Sequence, residues 1–150
     1  MRIETCSAEM LGPWVELRCS LWPDEDQQIM AQEAPALLTR PDLLVLLARQ
    51  GDTAIGFVEA SVRRDYVNGC ETSPVGFAEG IYVGPEHRDK GVARALIAAV
   101  ETWARDQGLQ ELASDALLEN GASHAMHKAL GFSETERVVY FRKVLTAASA

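Results

Sequence analysis

Arg88, Asp89, Lys90, Gly91, Val92 and Ala93 join an apolar run, Phe77 to Val83, to a segment with helical periodicity. Their types and order suit the binding of a pyrophosphate. The first turn of a helix leaves backbone N–H groups without partners, and the helix dipole adds positive potential there. Gly91 lets an anion approach the backbone, Val92 and Ala93 keep the turn small, and Arg88, Lys90 and Arg94 surround it with positive charge. By itself the pattern also fits an ordinary strand-to-helix connection. A P-loop is excluded, because no Gly-Lys-Ser/Thr follows Gly84 at the required spacing, and the three glycines of a dinucleotide fingerprint are missing.

The elements that must position this turn are readable on both sides. Val92, Leu96, Val100 and Trp103 form one apolar stripe, with Gly108 as a stop after Gln107, which predicts a long helix. Upstream, residues 1 to 5 start a strand and Pro13 to Leu21 read as a helix with proline in its first turn, ended by Pro23. Asp24 to Pro41 reads as a short helix and a loop. Leu43 to Arg49 and Thr53 to Val67 read as strands joined through Gln50, Gly51 and Asp52, and Asn68 to Pro74 carries loop chemistry. Phe77 to Val83 is the expected central strand, Leu109 to Ala116 the next, Asn120 to Leu130 a further helix, and Phe132 to Val144 is expected to close the sheet. Sequential hairpins with one parallel pair across the long helix make the fold class α+β, a mixed sheet flanked by helices.

At 150 residues and 47% apolar content the chain suits one domain, residues 1–150, with a real core. No repeat, low-complexity run, secretory leader or membrane-length apolar run is present, so a soluble, cytoplasmic protein without a membrane partner is expected. Cys6, Cys19 and Cys70 are odd in number and widely spaced, which suggests neither a disulfide framework nor a metal site; at least two should be buried free thiols. With 22 acidic against 14 basic residues the formal charge is −8, which excludes nucleic acid as the expected partner.

The stretch Glu79 to Trp103, EGIYVGPEHRDKGVARALIAAVETW, resembles the acetyl-CoA signature of the GNAT superfamily of N-acetyltransferases. An apolar strand, a proline just after it, a basic residue and a glycine-containing turn into a helix stand in the family's order. Downstream, NGASHAMHKALGF, residues 120 to 132, is similar to the superfamily's second signature. The resemblance implies a mixed, mostly antiparallel sheet flanked by helices and acetyl-CoA as cosubstrate, with no metal.

Within that framework Glu79, which interrupts the apolar central strand, and Asp115, near the end of the following strand, face a cleft beside the thioester. Carboxylates there select a cationic amine, each close pair being worth about 4 kcal/mol at about 4 Å and an effective dielectric near 20, before desolvation is subtracted.

LWPDE (21–25), RDYVNGCETSPVGFAEGIYV (64–83), ASDALLEN (113–120) and LGFSETERVVYFRK (130–143) narrow the resemblance to the aminoglycoside 6′-N-acetyltransferases of the branch that includes chromosomally encoded enterobacterial enzymes. By position, the resemblance implies that Trp22, Glu25, Tyr66, Glu79, Asp115 and Glu136 bind an aminoglycoside. It implies likewise that Ile81, Tyr82 and Val83, the turn from Arg88 through Asp89, Lys90, Gly91 and Val92 to Ala93, and Asn120 hold acetyl-CoA. It also implies a homodimer. Trp22 and Tyr66 suit sugar rings, since each offers a flat apolar face with a polar edge.

The implied reaction is direct attack of a primary amine on the thioester. Backbone groups of Ile81 to Val83 would pair with the pantetheine arm, and the Val83 N–H would polarise the carbonyl. Deprotonating the amine costs only about 1.4 kcal/mol per unit by which its pKa exceeds the ambient pH, so proximity carries much of the catalysis. Glu79, through water, is the first candidate base and Asp115 the second. One departure stands out: where many superfamily members place a tyrosine seven residues after the asparagine, this chain has His127, with His124 one turn earlier. Other readings of the same fold are an acetyltransferase for a polyamine or a protein N-terminus, and a non-enzymatic acetyl-CoA-binding module.

Overall fold

The computed structural model describes residues 1–147. The chain builds one sheet from β1 (Arg2–Thr5), β2 (Leu43–Gln50), β3 (Thr53–Arg63), β4 (Val75–Val83) and β5 (Leu112–Ser114), in that spatial order. The first three pairings are antiparallel; β4 and β5 are parallel. The helices are α1 (Leu11–Leu21), α2 (Gln27–Leu37), α3 (Val92–Asp106) and α4 (Gly121–Ala129). This is the expected α+β architecture, a mixed and mostly antiparallel sheet with helices on both faces.

The period of two along each strand divides the core. Leu46, Ala48, Val58 and Ala60 face α3, whose Val92, Leu96, Ile97 and Val100 cover them. Val45, Leu47 and Phe57 face the other way, against Trp14 of α1 and Ala34 of α2. The α3 stripe expected from Val92, Leu96, Val100 and Trp103 is therefore the buried one, with Trp103 at its margin.

Several boundaries differ from the expectation. Asp24 to Pro41 holds a full helix, because Asp26 caps its start by accepting from the N–H groups of Gln28 at 2.8 Å and Ile29 at 3.1 Å. The strand expected to reach Val67 stops at Arg63, which pairs with Val75, the first residue of β4, so nothing remains for residues 64–67 to pair with. The strand expected over Leu109 to Ala116 keeps only Leu112–Ser114. Of the cysteines only Cys6 is fully buried, its thiol pushed up to about 11 chiefly by desolvation, while Cys19 and Cys70 are half-buried.

The largest correction concerns Phe132 to Val144, which does not close the sheet. Residues 132–147 form neither helix nor strand, and Val139, Tyr140, Phe141 and Leu145 are 78%, 85%, 94% and 86% exposed. β5 offers only three paired residues to build on, and the segment leaves its outer edge uncovered.

Candidate active site

The site begins where β4 stops being an ordinary strand. Glu59 on β3 stands opposite Gly80 and Ala60 opposite Ala78, so Glu79 is an extra residue, a bulge. On the other side, β5 pairs only with Gly76 to Ala78. Beyond the bulge the edge of β4 carrying Ile81, Tyr82 and Val83 has no strand beside it among the described residues. An extended, amide-bearing chain such as pantetheine can take that place by adding as a strand.

The turn expected to hold pyrophosphate lies at the end of this open edge. Asp89 and Gly91 adopt left-handed conformations, with φ of 61° and 82°, and Gly91 starts α3 with no side chain capping it. The first N–H groups of a 15-residue helix are thus left to an external acceptor. The basic side chains serve a second purpose. Arg88 donates from Nε to the Val83 carbonyl at 2.9 Å and lies over the Tyr82 ring, and Lys90 donates to the Glu86 carbonyl at 3.1 Å. Arg94 reaches the Ala129 carbonyl at 3.0 Å, tying α3 to the end of α4. Asn120, expected near the cofactor, uses its side-chain oxygen to cap α4, accepting from the Ser123 N–H at 3.1 Å.

On the α1 face of the sheet the bulge gathers charge. Glu79 accepts from the Ser61 hydroxyl at 2.6 Å and from Arg63 through both oxygens, at 3.0 and 2.7 Å. Arg63 also lies over Phe77, its guanidinium carbon 3.5 Å from the ring centre. A second pair lies deeper. Arg18 Nε donates to Glu59 at 3.1 Å and its guanidinium sits between the rings of Trp14 and Trp22. Burial pushes the Glu59 carboxyl up, Arg18 works against that rise, and the nearby Glu79 charge adds to it. Trp22 packs edge-on to Phe57 and lies against Gly80, where a Cβ would come within 2.5 Å of its ring.

Of the acceptor-side candidates, Glu79 and Trp22 therefore meet at the bulge. Glu25 is exposed and touches Trp22 only through its backbone, donating to the Trp22 carbonyl at 3.1 Å. Tyr66, Asp115 and Glu136 are exposed, and among the described residues no hydrogen bond or ion pair joins them to the Glu79 cluster. Tyr66 rides on the loop 64–74. That loop is fastened by Glu111, which accepts from the Glu71 and Thr72 N–H groups at 2.9 and 2.7 Å and from the Thr72 hydroxyl at 2.5 Å.

Sequence reasoning missed Glu59, Ser61 and Arg63, and with them Arg18. A signal was present: these three polar residues alternate along one face of an otherwise apolar strand, the pattern of a polar strip facing a site.

At the mouth between β4 and β5, His127 bonds through Nε2 to Ser114 Oγ at 2.8 Å and through Nδ1 to the Ser123 carbonyl at 2.7 Å. Phe132 packs edge-on to its ring. The carbonyl can only accept, so Nδ1 carries a proton, and Nε2 faces a hydroxyl that can both give and take one. Among the described residues no three His, Cys, Asp or Glu side chains gather as a metal site requires.

The sequence matches the acetyltransferase (GNAT) family over residues 9–132. It is 51% identical over 144 residues to an aminoglycoside N(6′)-acetyltransferase type 1 of Acinetobacter baumannii, covering 95% of this chain and 98% of that protein. Against the protein of the same name from Salmonella typhimurium it is 45% identical over 143 residues, covering 95% and 99%. Among solved structures, the apo aminoglycoside 6′-N-acetyltransferase AAC(6′)-Ig of Acinetobacter haemolyticus superposes with a TM-score of 0.93 at 51% identity, over 97% of this chain and 100% of that one. AAC(6′)-Iy bound to a bisubstrate analogue joining CoA to an acetylneamine gives 0.91 at 44% identity, over 96% and 98%. With the parted strands, the uncapped helix start and these relatives in hand, the chain belongs to the acetyltransferase (GNAT) family.

Proposed function

We propose that this protein transfers the acetyl group of acetyl-CoA to the 6′-amine of an aminoglycoside in a ternary complex, and that it does so in the cytoplasm, conferring resistance. The observation that carries the reading is the meeting, at one bulge, of an open β4 edge leading to an uncapped α3 and a carboxylate beside an indole, Glu79 and Trp22. Near-full-length relatives named for this activity support it. Three cysteines without a disulfide agree with a reducing compartment.

Pantetheine adds to the edge at Ile81, Tyr82 and Val83, and its pyrophosphate meets the N–H groups of the turn from Arg88 to Ala93. Arg88 and Lys90 brace that turn, while Asn120 caps α4. The Val83 N–H polarises the thioester carbonyl. The amine nitrogen bonds to the carbonyl carbon, the carbon–sulfur bond breaks, and the thiolate of CoA leaves and takes up a proton. The proton lost by the amine passes through water to Glu79, with Asp115 as the alternative acceptor. Trp22 and Tyr66 lie against sugar rings, and Glu25, Asp115 and Glu136 draw the remaining ammonium groups.

The working unit is a homodimer. The exposed apolar side chains of Val139, Tyr140, Phe141 and Leu145, on a segment unpaired in its own sheet, are those of a strand that pairs with a second copy. Light scattering on the full chain tests this: a dimer is expected, and a monomer at working concentration overturns it.

The activity is tested by CoA release with 6′-amino and 6′-hydroxy aminoglycosides, spermidine and a peptide. Turnover confined to the 6′-amino compounds is expected. Turnover of spermidine or the peptide instead reassigns the acceptor, and tight acetyl-CoA binding without turnover of any amine makes the protein a binding module.

A further inference from the structure

Two ion pairs share the bulge and differ in how firmly they are held. Glu59 and Arg18 leave 4% and 14% of their side chains exposed, while Glu79 and Arg63 leave 32% and 42%. In the inner pair the Arg18 guanidinium is held between two indole rings, and little of either side chain reaches solvent. The outer pair stands at the open side, where a cationic acceptor must arrive under the aminoglycoside reading, on which this inference rests.

Arg63 already occupies the recognition face of Glu79. Its Nε and terminal nitrogen fill one position on each carboxylate oxygen, and the Ser61 hydroxyl fills another. An incoming ammonium needs the same lone pairs, and two cations on one carboxylate repel each other. The Ser61 bond does not depend on Arg63, so Glu79 keeps its orientation when the guanidinium departs. Phe77 gives the side chain a resting face.

We infer that Arg63 is a place-holder for the acceptor's ammonium group: it neutralises Glu79 in the empty cleft and is exchanged for the substrate's cation on binding. It follows that Arg63 sets acceptor specificity. A cation displaces it and regains the ion pair, whereas a hydroxyl in the same position breaks an ion pair and makes none, so the cleft reads charge as well as hydrogen-bonding shape.

The test compares wild type with Arg63→Met and Arg63→Lys, measuring calorimetric Kd for neamine and steady-state KM for neamine and acetyl-CoA. Removing the competing cation makes Arg63→Met bind neamine about 1.5-fold to fivefold more tightly, the span of a partly exposed pair. Arg63→Lys stays near wild type, and KM for acetyl-CoA is unchanged. Weaker or equal neamine binding by Arg63→Met overturns the inference, because a residue that merely positions Glu79 gives that sign. Arg63→Gln supplies the same comparison if the Met variant does not accumulate folded. Absence of turnover in wild type with tighter binding in Arg63→Met defeats the proposed activity and leaves the place-holder standing; normal turnover with weaker binding does the reverse.

Discussion

The indole of Trp22 lies on the backbone of Gly80, so closely that a Cβ at Gly80 would stand 2.5 Å from the ring. The bulge that inserts Glu79 into β4 thus also provides the floor on which this indole lies. Gly80→Ala must push Trp22 outward, and KM for the acceptor is expected to rise about tenfold, equivalent to ~1.4 kcal/mol. Steady-state kinetics with each substrate varied in turn check this; an unchanged acceptor KM would show that Trp22 does not touch the substrate.

The donor side is separable by the same kinetics. Gly91 holds a φ of 82°, where an L side chain is strained by about 1–2 kcal/mol even though a methyl group there meets no neighbour. Gly91→Ala distorts the start of α3, and KM for acetyl-CoA is expected to rise about fivefold to tenfold with the acceptor KM little changed. A rise in acceptor KM alone would remove the turn from the cofactor site.

His127 is braced by the Ser123 carbonyl and joined to Ser114, at the point where β5 parts from β4. Under the proposed reaction, a ring held there and protonated at Nε2 as well would return a proton to the departing thiolate. His127→Gln is expected to lower kcat at least about tenfold while leaving KM for acetyl-CoA near wild type, and Ser114→Ala to lower it less. Full kcat in His127→Gln would leave the imidazole as support for α4.

Glu111 reports on acid stability. Bonds from Thr72, then from the Glu71 N–H, hold its carboxyl below the ordinary carboxylate range. The stability it contributes is whole above that range and is lost as pH falls through it toward the lower folded value. Glu111→Ala is therefore expected to melt a few degrees below wild type at neutral pH, with the gap closing in acid, as thermal melts at the two pH values would read. A gap independent of pH would assign the loss to packing rather than to the carboxylate.

The sequence by itself determined what depends on local chemistry. The apolar stripe of α3, the glycine turn before it and the central strand ending at Val83 follow from spacing and side-chain type, and they suffice for the fold class. Tertiary structure decided what depends on which residues become neighbours across the sheet. Glu79 looked like an isolated carboxylate because Arg63 is sixteen positions away in the chain, and only the register of β3 on β4 brings them within 2.7 Å. Arg18 and Glu59 meet across 41 positions for the same reason, α1 lying on the face to which the strip from Glu59 to Arg63 points. Phe132 to Val144 shows the converse: its apolar side chains suggested a strand that closes the sheet, yet a strand needs an edge to pair with, and beside the three-residue β5 the segment stays out of the sheet.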